Sequence, residues 1–285
     1  MDHHPGTPHD VIGANGVRLH VRDWGPADAP PLLFIHGWSG SHLGWSRQTN
    51  SALRKAFRLV AFDLRGHGFS ARPETPESYQ DGAAWAGDVA AVIAALQLDR
   101  PILVGWSYGG YIIGDYLRAH GANALAGIVF VGAAALSANP PRHIGPDFIA
   151  TVRMTMDPDP AVMLDGLRRA ADLTTHRPAS IPERERALAA MGLAYPKARV
   201  WMMMRTLDFG PDFAALTCPV LIAQGSHDRI VLPEMAEYIA AQVPSATVSR
   251  YTDCGHAPHL EASERFNAEL ERFARAALAR QGQPA

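Results

Sequence analysis

Ser107 is the residue whose surroundings best suit it to chemistry. It stands in Gly105-Trp106-Ser107-Tyr108-Gly109, a G-x-S-x-G sequence followed by Gly110. Five such common residues say little alone; their flanks say more. Pro101-Ile102-Leu103-Val104 is a short apolar run of the kind found in buried strands. Tyr111 to His120 has helical spacing and stops at Gly121, a C-terminal cap. Strand, glycine-rich turn and helix together predict a nucleophile elbow. The turn forces the serine into a strained backbone conformation, and Gly105 and Gly109 let strand and helix approach closely. The helix N-terminus then points free N–H groups and its positive dipole end at any anion forming on a substrate.

A serine hydroxyl is a poor nucleophile at neutral pH. It needs a base within hydrogen-bond reach, and that base needs an orienting acid. In open parallel sheets ligands bind at the carboxyl ends of the strands, so the partners should follow strands directly. Asp228 follows the apolar run that ends at Gln224, and His256 follows the one that ends near Tyr251. Ser107, Asp228, His256 is the chain order expected after a nucleophile elbow. Asp253 lies only three residues from His256 and is expected to cap a turn. Cys254 has no separate base to activate it.

The elements that must position these groups alternate. Val17 to Arg22 switches between apolar and polar residues, as an edge strand with one exposed face does. Leu32 to Ile35, Leu59 to Phe62, Ile102 to Val104, Ile128 to Val131 and Pro219 to Gln224 read as buried parallel strands. Thr247 to Tyr251 reads as a final strand. Between them, Asp81 to Leu98 carries Trp85, Val89, Val92, Ile93 and Leu96 at core spacing on a helix. Ser41 to Phe57 reads as loop then helix, Met235 to Gln242 as a helix, and Glu261 to Arg280 as a closing amphipathic helix. This predicts an α/β fold, a doubly wound, mostly parallel sheet flanked by helices. From about Ser137 to Asp212 the character changes. Pro140, Pro141, Pro146, Pro158, Pro160, Pro178 and Pro182 interrupt helical pieces such as Ala161 to Ala171 and Glu183 to Met191. The strand pattern then resumes. The expected organisation is a core domain of residues 1–136 and 213–285 with a helical lid inserted at 137–212.

Composition narrows the partners. The 285 residues are 47% hydrophobic and carry a formal net charge of −2, which gives no electrostatic case for nucleic acid or an anionic membrane. No apolar run approaches the roughly 20 residues needed to cross a bilayer. Met1 to Asp10 lacks the apolar core of a secretory signal and reads as a disordered tail, in which His3, His4 and His9 offer only adventitious metal binding. Two cysteines, Cys218 and Cys254, make no disulfide framework, so a cytoplasmic location is expected. No metal site or cofactor is expected, and monomer and homodimer both fit.

Four signatures together resemble the α/β-hydrolase fold family over nearly the whole chain, from about Val17 to Ala277. They are His36-Gly37-Trp38, Asp63-Leu64-Arg65-Gly66-His67-Gly68-Phe69-Ser70, the Gly105 to Gly109 elbow, and the Asp228 and His256 pair. Within the family the chain is similar to cofactor-free esterases, lactonases and haloperoxidase-type perhydrolases. The resemblance implies that Ser107 attacks a carbonyl carbon. It implies that His256 takes the serine proton and returns it to the leaving alcohol, while Asp228 fixes the imidazole. The backbone N–H groups of Trp38 and Tyr108 would form the oxyanion hole. It implies structural roles for Asp63, Arg65, His36 and His67, and a supporting or surface position for His259. Dehalogenase and epoxide-hydrolase branches place Asp at the elbow, so Ser107 points instead to an ester or lactone substrate. Carbon–carbon bond hydrolases, acyltransferases and non-catalytic receptors on this fold are the alternatives; Arg142, Arg153, Arg168 or Arg205 could supply charge to the first of these. The perhydrolase-like branch often has proline soon after the oxyanion aromatic; here Ser39 follows Trp38, and efficient peracid formation is not expected. Trp201, Met203 and Met204 either line an acyl pocket, making them substrate-binding, or form the lid's own core.

Overall fold

Phe34, Leu33 and Leu103 are buried without residual exposure, and so are Val104, Val129 and Phe130. Residues apolar on both faces of a strand require cover on both sides of the sheet. The structure, a computed structural model, supplies it. It describes residues 5–137 and 142–280; His3, His4, Pro140 and Pro141 lie outside them. An eight-stranded sheet runs in the order β1 (Thr7–Ile12), β2 (Arg18–Trp24), β4 (Arg58–Phe62), β3 (Pro31–Ile35), β5 (Ile102–Trp106), β6 (Gly127–Val131), β9 (Val220–Gly225), β10 (Thr247–Tyr251). From β4 to β10 all neighbours are parallel. Strand β2 alone runs against the others, so its pairings with β1 and β4 are antiparallel. A two-stranded antiparallel ribbon, β7 (Leu136–Ser137) with β8 (Leu207–Asp208), stands apart.

Alternation along the strands divides the core. Leu33, Ile35 and Leu103 face one layer, in which α1 (Gly82–Ala95) buries Trp85, Val89 and Val92 and α2 (Gly109–His120) buries Ile112 and Ile113. Leu32, Phe34 and Val104 face the other, against Trp45, Phe57 and, near the C-terminus, Phe266, Leu270 and Ala274. Helix α1 starts where Asp81 accepts a hydrogen bond from the Ala83 N–H at 2.9 Å, an N-cap. Between β7 and β8 run α3 (Pro146–Thr155), α4 (Pro160–Leu173), α5 (Ile181–Gly192) and α6 (Pro196–Met203), each with proline in its first turn. Gly166 lets α4 approach α3, since a Cβ there would lie 2.7 Å from the Thr155 nitrogen. Helices α7 (Glu234–Gln242) and α8 (Ser263–Arg280) complete the layers.

One expectation is corrected. Thr7 to Asp10 are not part of a tail; with Val11 and Ile12 they form β1, in register with Arg18 to Asp23. Pairing satisfies the backbone where side chains bury little: of the six residues only Val11 is buried, and Arg18 binds Asp10 at 2.7 Å. Within Ser41 to Phe57, read as loop then helix, the α-helix is only Ser46–Thr49, between the 3-10 turns His42–Trp45 and Ala52–Lys55.

Candidate active site

Strand β5 ends at Trp106 and α2 begins at Gly109, so the chain must reverse over two residues. Ser107 does this with φ +56°, a left-handed conformation uncommon for any residue but glycine or asparagine. The turn is held from both sides: the Ser107 N–H donates to the Val131 carbonyl at 3.0 Å, and the Ala134 and Gly110 N–H groups donate to the Ser107 carbonyl at 3.0 and 2.9 Å. Glycine is required around it. A Cβ on Gly37 would come within 2.8 Å of the Ser107 Cβ, and one on Gly109 within 2.6 Å of the Ile35 carbonyl oxygen.

His256 and Asp228 meet across the ends of β9 and β10. The imidazole Nδ1 lies 2.8 Å from Asp228 Oδ2. The carboxylate is saturated: Oδ1 accepts from the Ile230 and Val231 N–H groups at 2.8 and 3.0 Å, and Oδ2 also accepts from Gln224 Nε2 at 3.1 Å. A carboxylate can only accept here, so Nδ1–H donates to it and His256 Nε2 is left as the acceptor. Two residues that the sequence did not single out support the pair. One is Gln224. The other is Gly132, at φ +46°, where a Cβ would lie 2.9 Å from the His256 carbonyl oxygen and 3.2 Å from both Asp228 Oδ2 and His256 Nδ1. Trp106 lays its ring 5.5 Å from the His256 ring, and its Nε1 donates to the His256 carbonyl at 2.9 Å.

Ser107 and His256 both line a small cavity of about 30 Å³ with Gly37 and Trp38. Ser107, Trp38 and Tyr108 also open on a larger one of about 390 Å³, walled by α3 residues Ile149 and Val152, by Met156 just after that helix, and by Met202, Ile230 and Val231. Its surface is mostly apolar. Among the described residues, neither the Trp38 nor the Tyr108 backbone N–H has an acceptor. Their side chains are anchored instead. The Trp38 indole N–H donates to the Arg199 carbonyl at 3.1 Å and Tyr108 Oη donates to the Met202 carbonyl at 2.9 Å.

Of the three residues expected at a pocket, Met203 and Met204 line this cavity. Trp201 does not. It packs against Tyr79, on the short helix Glu77–Gln80, with ring centres 5.5 Å apart. Spacing along α3 and its C-terminal cap was the available signal for Phe148, Val152 and Met156, which do line it. Arg153 lines the cavity as an exposed side chain. Arg205 lines it with its charge committed to Asp115 at 2.6 Å.

The remaining candidates serve as scaffolding. His36 Nε2 accepts the Leu64 N–H at 3.0 Å, and Nδ1 lies 2.8 Å from the Gly37 carbonyl; burial pushes its pKa down to about 4. Asp63 accepts from the His42 and Phe69 N–H groups at 2.7 and 3.0 Å. Arg65, wholly buried, forks onto Asp88 with both bonds at 2.7 Å. His67 is buried with Nδ1 2.9 Å from the Arg65 carbonyl. His259 is buried between Trp45 and Trp106. Burial raises the Cys254 thiol to about 11, which leaves it unreactive at neutral pH. Asp253 is exposed to solvent.

Comparison with known proteins agrees in kind. A family model described as alpha/beta hydrolase fold matches residues 30–263. The chain is 29% identical to a non-heme chloroperoxidase of Streptomyces lividans over 292 aligned positions, which cover 92% of this chain and 98% of that protein. Among solved structures it resembles a putative aryl esterase from Burkholderia cenocepacia, with 34% identity, a TM-score of 0.91, and 96% and 100% of the two chains covered. An esterase from Rhodococcus sp. ECU1013 matches with 32% identity, a TM-score of 0.90, and 95% and 99% covered.

Proposed function

The chain belongs to the α/β-hydrolase fold family and is a hydrolase, and on that premise we propose that it cleaves carboxylic esters or lactones through an acyl-enzyme formed on Ser107. The observation that supports this most is the 2.8 Å contact of His256 with a saturated Asp228, with His256 and the strained Ser107 lining one cavity. In this reading Ser107 Oγ attacks the carbonyl carbon as His256 Nε2 takes its proton. The carbonyl oxygen becomes an alkoxide held by the Trp38 and Tyr108 N–H groups. The intermediate collapses, the alcohol leaves with the proton from His256, and an acyl-serine ester remains. Water then repeats the sequence, with its proton passing to His256 and back to Ser107. Asp228 holds the ring and stabilises the imidazolium, staying ionised throughout. Each N–H in such a hole is worth about 100- to 1,000-fold in turnover.

The 390 Å³ apolar cavity supports a small to medium, mainly apolar acyl group. We read residues 137–212 as the lid that supplies much of its wall.

The test is labelling with a fluorophosphonate serine probe read by intact mass, beside a p-nitrophenyl ester series of rising acyl length. Wild type should take one label and hydrolyse the series with an optimum at some length. Ser107→Ala should fold, take no label and lose turnover. Retained esterase activity in that variant would sink the reading.

A further inference from the structure

Arg199 has no role in the mechanism above, yet it is 1% exposed. Among the described residues it has no carboxylate partner. Its Nε donates to Ser39 Oγ at 3.0 Å and its Nη2 to the Met191 carbonyl at 2.5 Å, while Nη1 has no partner. A buried guanidinium without a counter-ion is costly, and burial draws its pKa down to about 10. An apolar side chain would fill the same space more stably. What the cation gains is one particular set of acceptors.

Those acceptors belong to two different parts of the fold. Met191 lies in the last turn of α5, where the dipole is negative, and its carbonyl also accepts the Ala194 N–H at 3.1 Å. Ser39 follows Trp38 in the turn Gly37-Trp38-Ser39-Gly40, closed by the Gly40 N–H donating to the Gly37 carbonyl at 3.1 Å. Ser39 is the third residue of this turn and has φ +57°. A positive φ at that position alone is the type II pattern, which favours glycine. Serine held there loses about tenfold in population against glycine unless something fixes it. Three contacts fix it: Arg199 Nε on Ser39 Oγ, Ser39 Oγ donating to the Met191 carbonyl at 3.5 Å, and the neighbouring Trp38 indole donating to the Arg199 carbonyl.

We propose that Arg199 is a positioning residue that clamps Ser39 in its left-handed conformation between α5 and α6, and so holds the Trp38 N–H where the alkoxide forms. The helical segment then does more than wall the pocket: it completes the oxyanion hole. The inference rests on the serine-hydrolase reading with Trp38 as a donor.

The test uses the full chain with p-nitrophenyl butyrate. Wild-type turnover and fluorophosphonate labelling first establish the parent reading; their absence counts against that reading and the clamp falls with it. With wild type active, Arg199→Met should lower kcat about 30-fold with KM held within about twofold. Arg199→Lys, which keeps one donor, should recover part of that loss. Adding Ser39→Gly to Arg199→Met should restore about tenfold, because glycine takes the positive φ unaided. A loss carried by KM, wild-type kcat in Arg199→Met, or no recovery from Ser39→Gly would each overturn the clamp. Should Arg199→Met fail to fold, Ser39→Ala and Ser39→Gly with Arg199 intact decide the matter. Ser39→Ala should be about tenfold slower than Ser39→Gly, and equal rates would overturn the proposal.

Discussion

Gly132 carries no functional group, yet it sets the space in which His256 meets Asp228. Its φ of +46° and the 2.9 Å at which a Cβ would meet the His256 carbonyl oxygen leave no room for a methyl group. Gly132→Ala should lower kcat about tenfold to a hundredfold by displacing the pair, since a shift of about 1 Å costs that much. Folding should survive, and the fluorophosphonate labelling rate should fall with kcat. Unchanged labelling would show that the pair tolerates displacement. Ser107, Asp228 and His256 were legible in the sequence because each follows a strand and their chain order is characteristic. Gly132 and Gln224 were not. They touch the pair only through space, from β6 and β9, and no local pattern marks a glycine that makes room for a distant side chain.

Elements show the same division. Five of the parallel strands were legible as continuous apolar runs, and Thr247 to Tyr251 only as a final strand. Strand β1 was not, because five of its six residues remain at least partly exposed and its stability comes from backbone pairing with β2. The face of α3 that lines the cavity has visible spacing, but which neighbour it meets depends on how the helices dock. For the same reason the sequence left Trp201 between the cavity and the lid's own core, and it lies against Tyr79. One contact ties three elements together. Arg65, after β4, binds Asp88 on α1 and also donates to the Ala14 carbonyl before β2, while Asp88 accepts the Ala14 N–H at 3.0 Å. Removing one partner leaves a buried charge uncompensated, so Asp88→Ala should cost about 3–5 kcal/mol of stability. A chemical denaturation curve measures it; a loss below about 1 kcal/mol would mean that water reaches Arg65.

For the molecule as a whole, buried histidines govern the response to acid. Burial holds His36 near 4, and His67 and His259 near 3, against 6.5 for an exposed ring. Their folded-state values lie below the unfolded one, so on acidification the unfolded chain binds protons first. The stability they contribute is complete above about pH 6.5 and is lost as pH falls toward 3 to 4, at up to about 1.4 kcal/mol per pH unit for each ring. Thermal or urea midpoints should therefore drop steeply between pH 6 and pH 5, before most carboxylates titrate. A flat profile over that interval would mean that these rings find proton acceptors in the folded state.

The cavity wall brings a liability of a different kind. Met156, Met202, Met203 and Met204 all face it, with Met204 65% and Met203 39% exposed and Met202 nearly enclosed. Thioethers are the side chains that oxidants attack reversibly, and a sulfoxide is polar and bulkier than its parent. Hydrogen peroxide should therefore oxidise Met204 and Met203 first. Turnover of long apolar esters should decline before that of acetate esters, while Ser107 stays reactive toward the fluorophosphonate. Methionine sulfoxide reductase should reverse the change. The same residues that suit the cavity to grease would make its selectivity a record of the oxidants it has met.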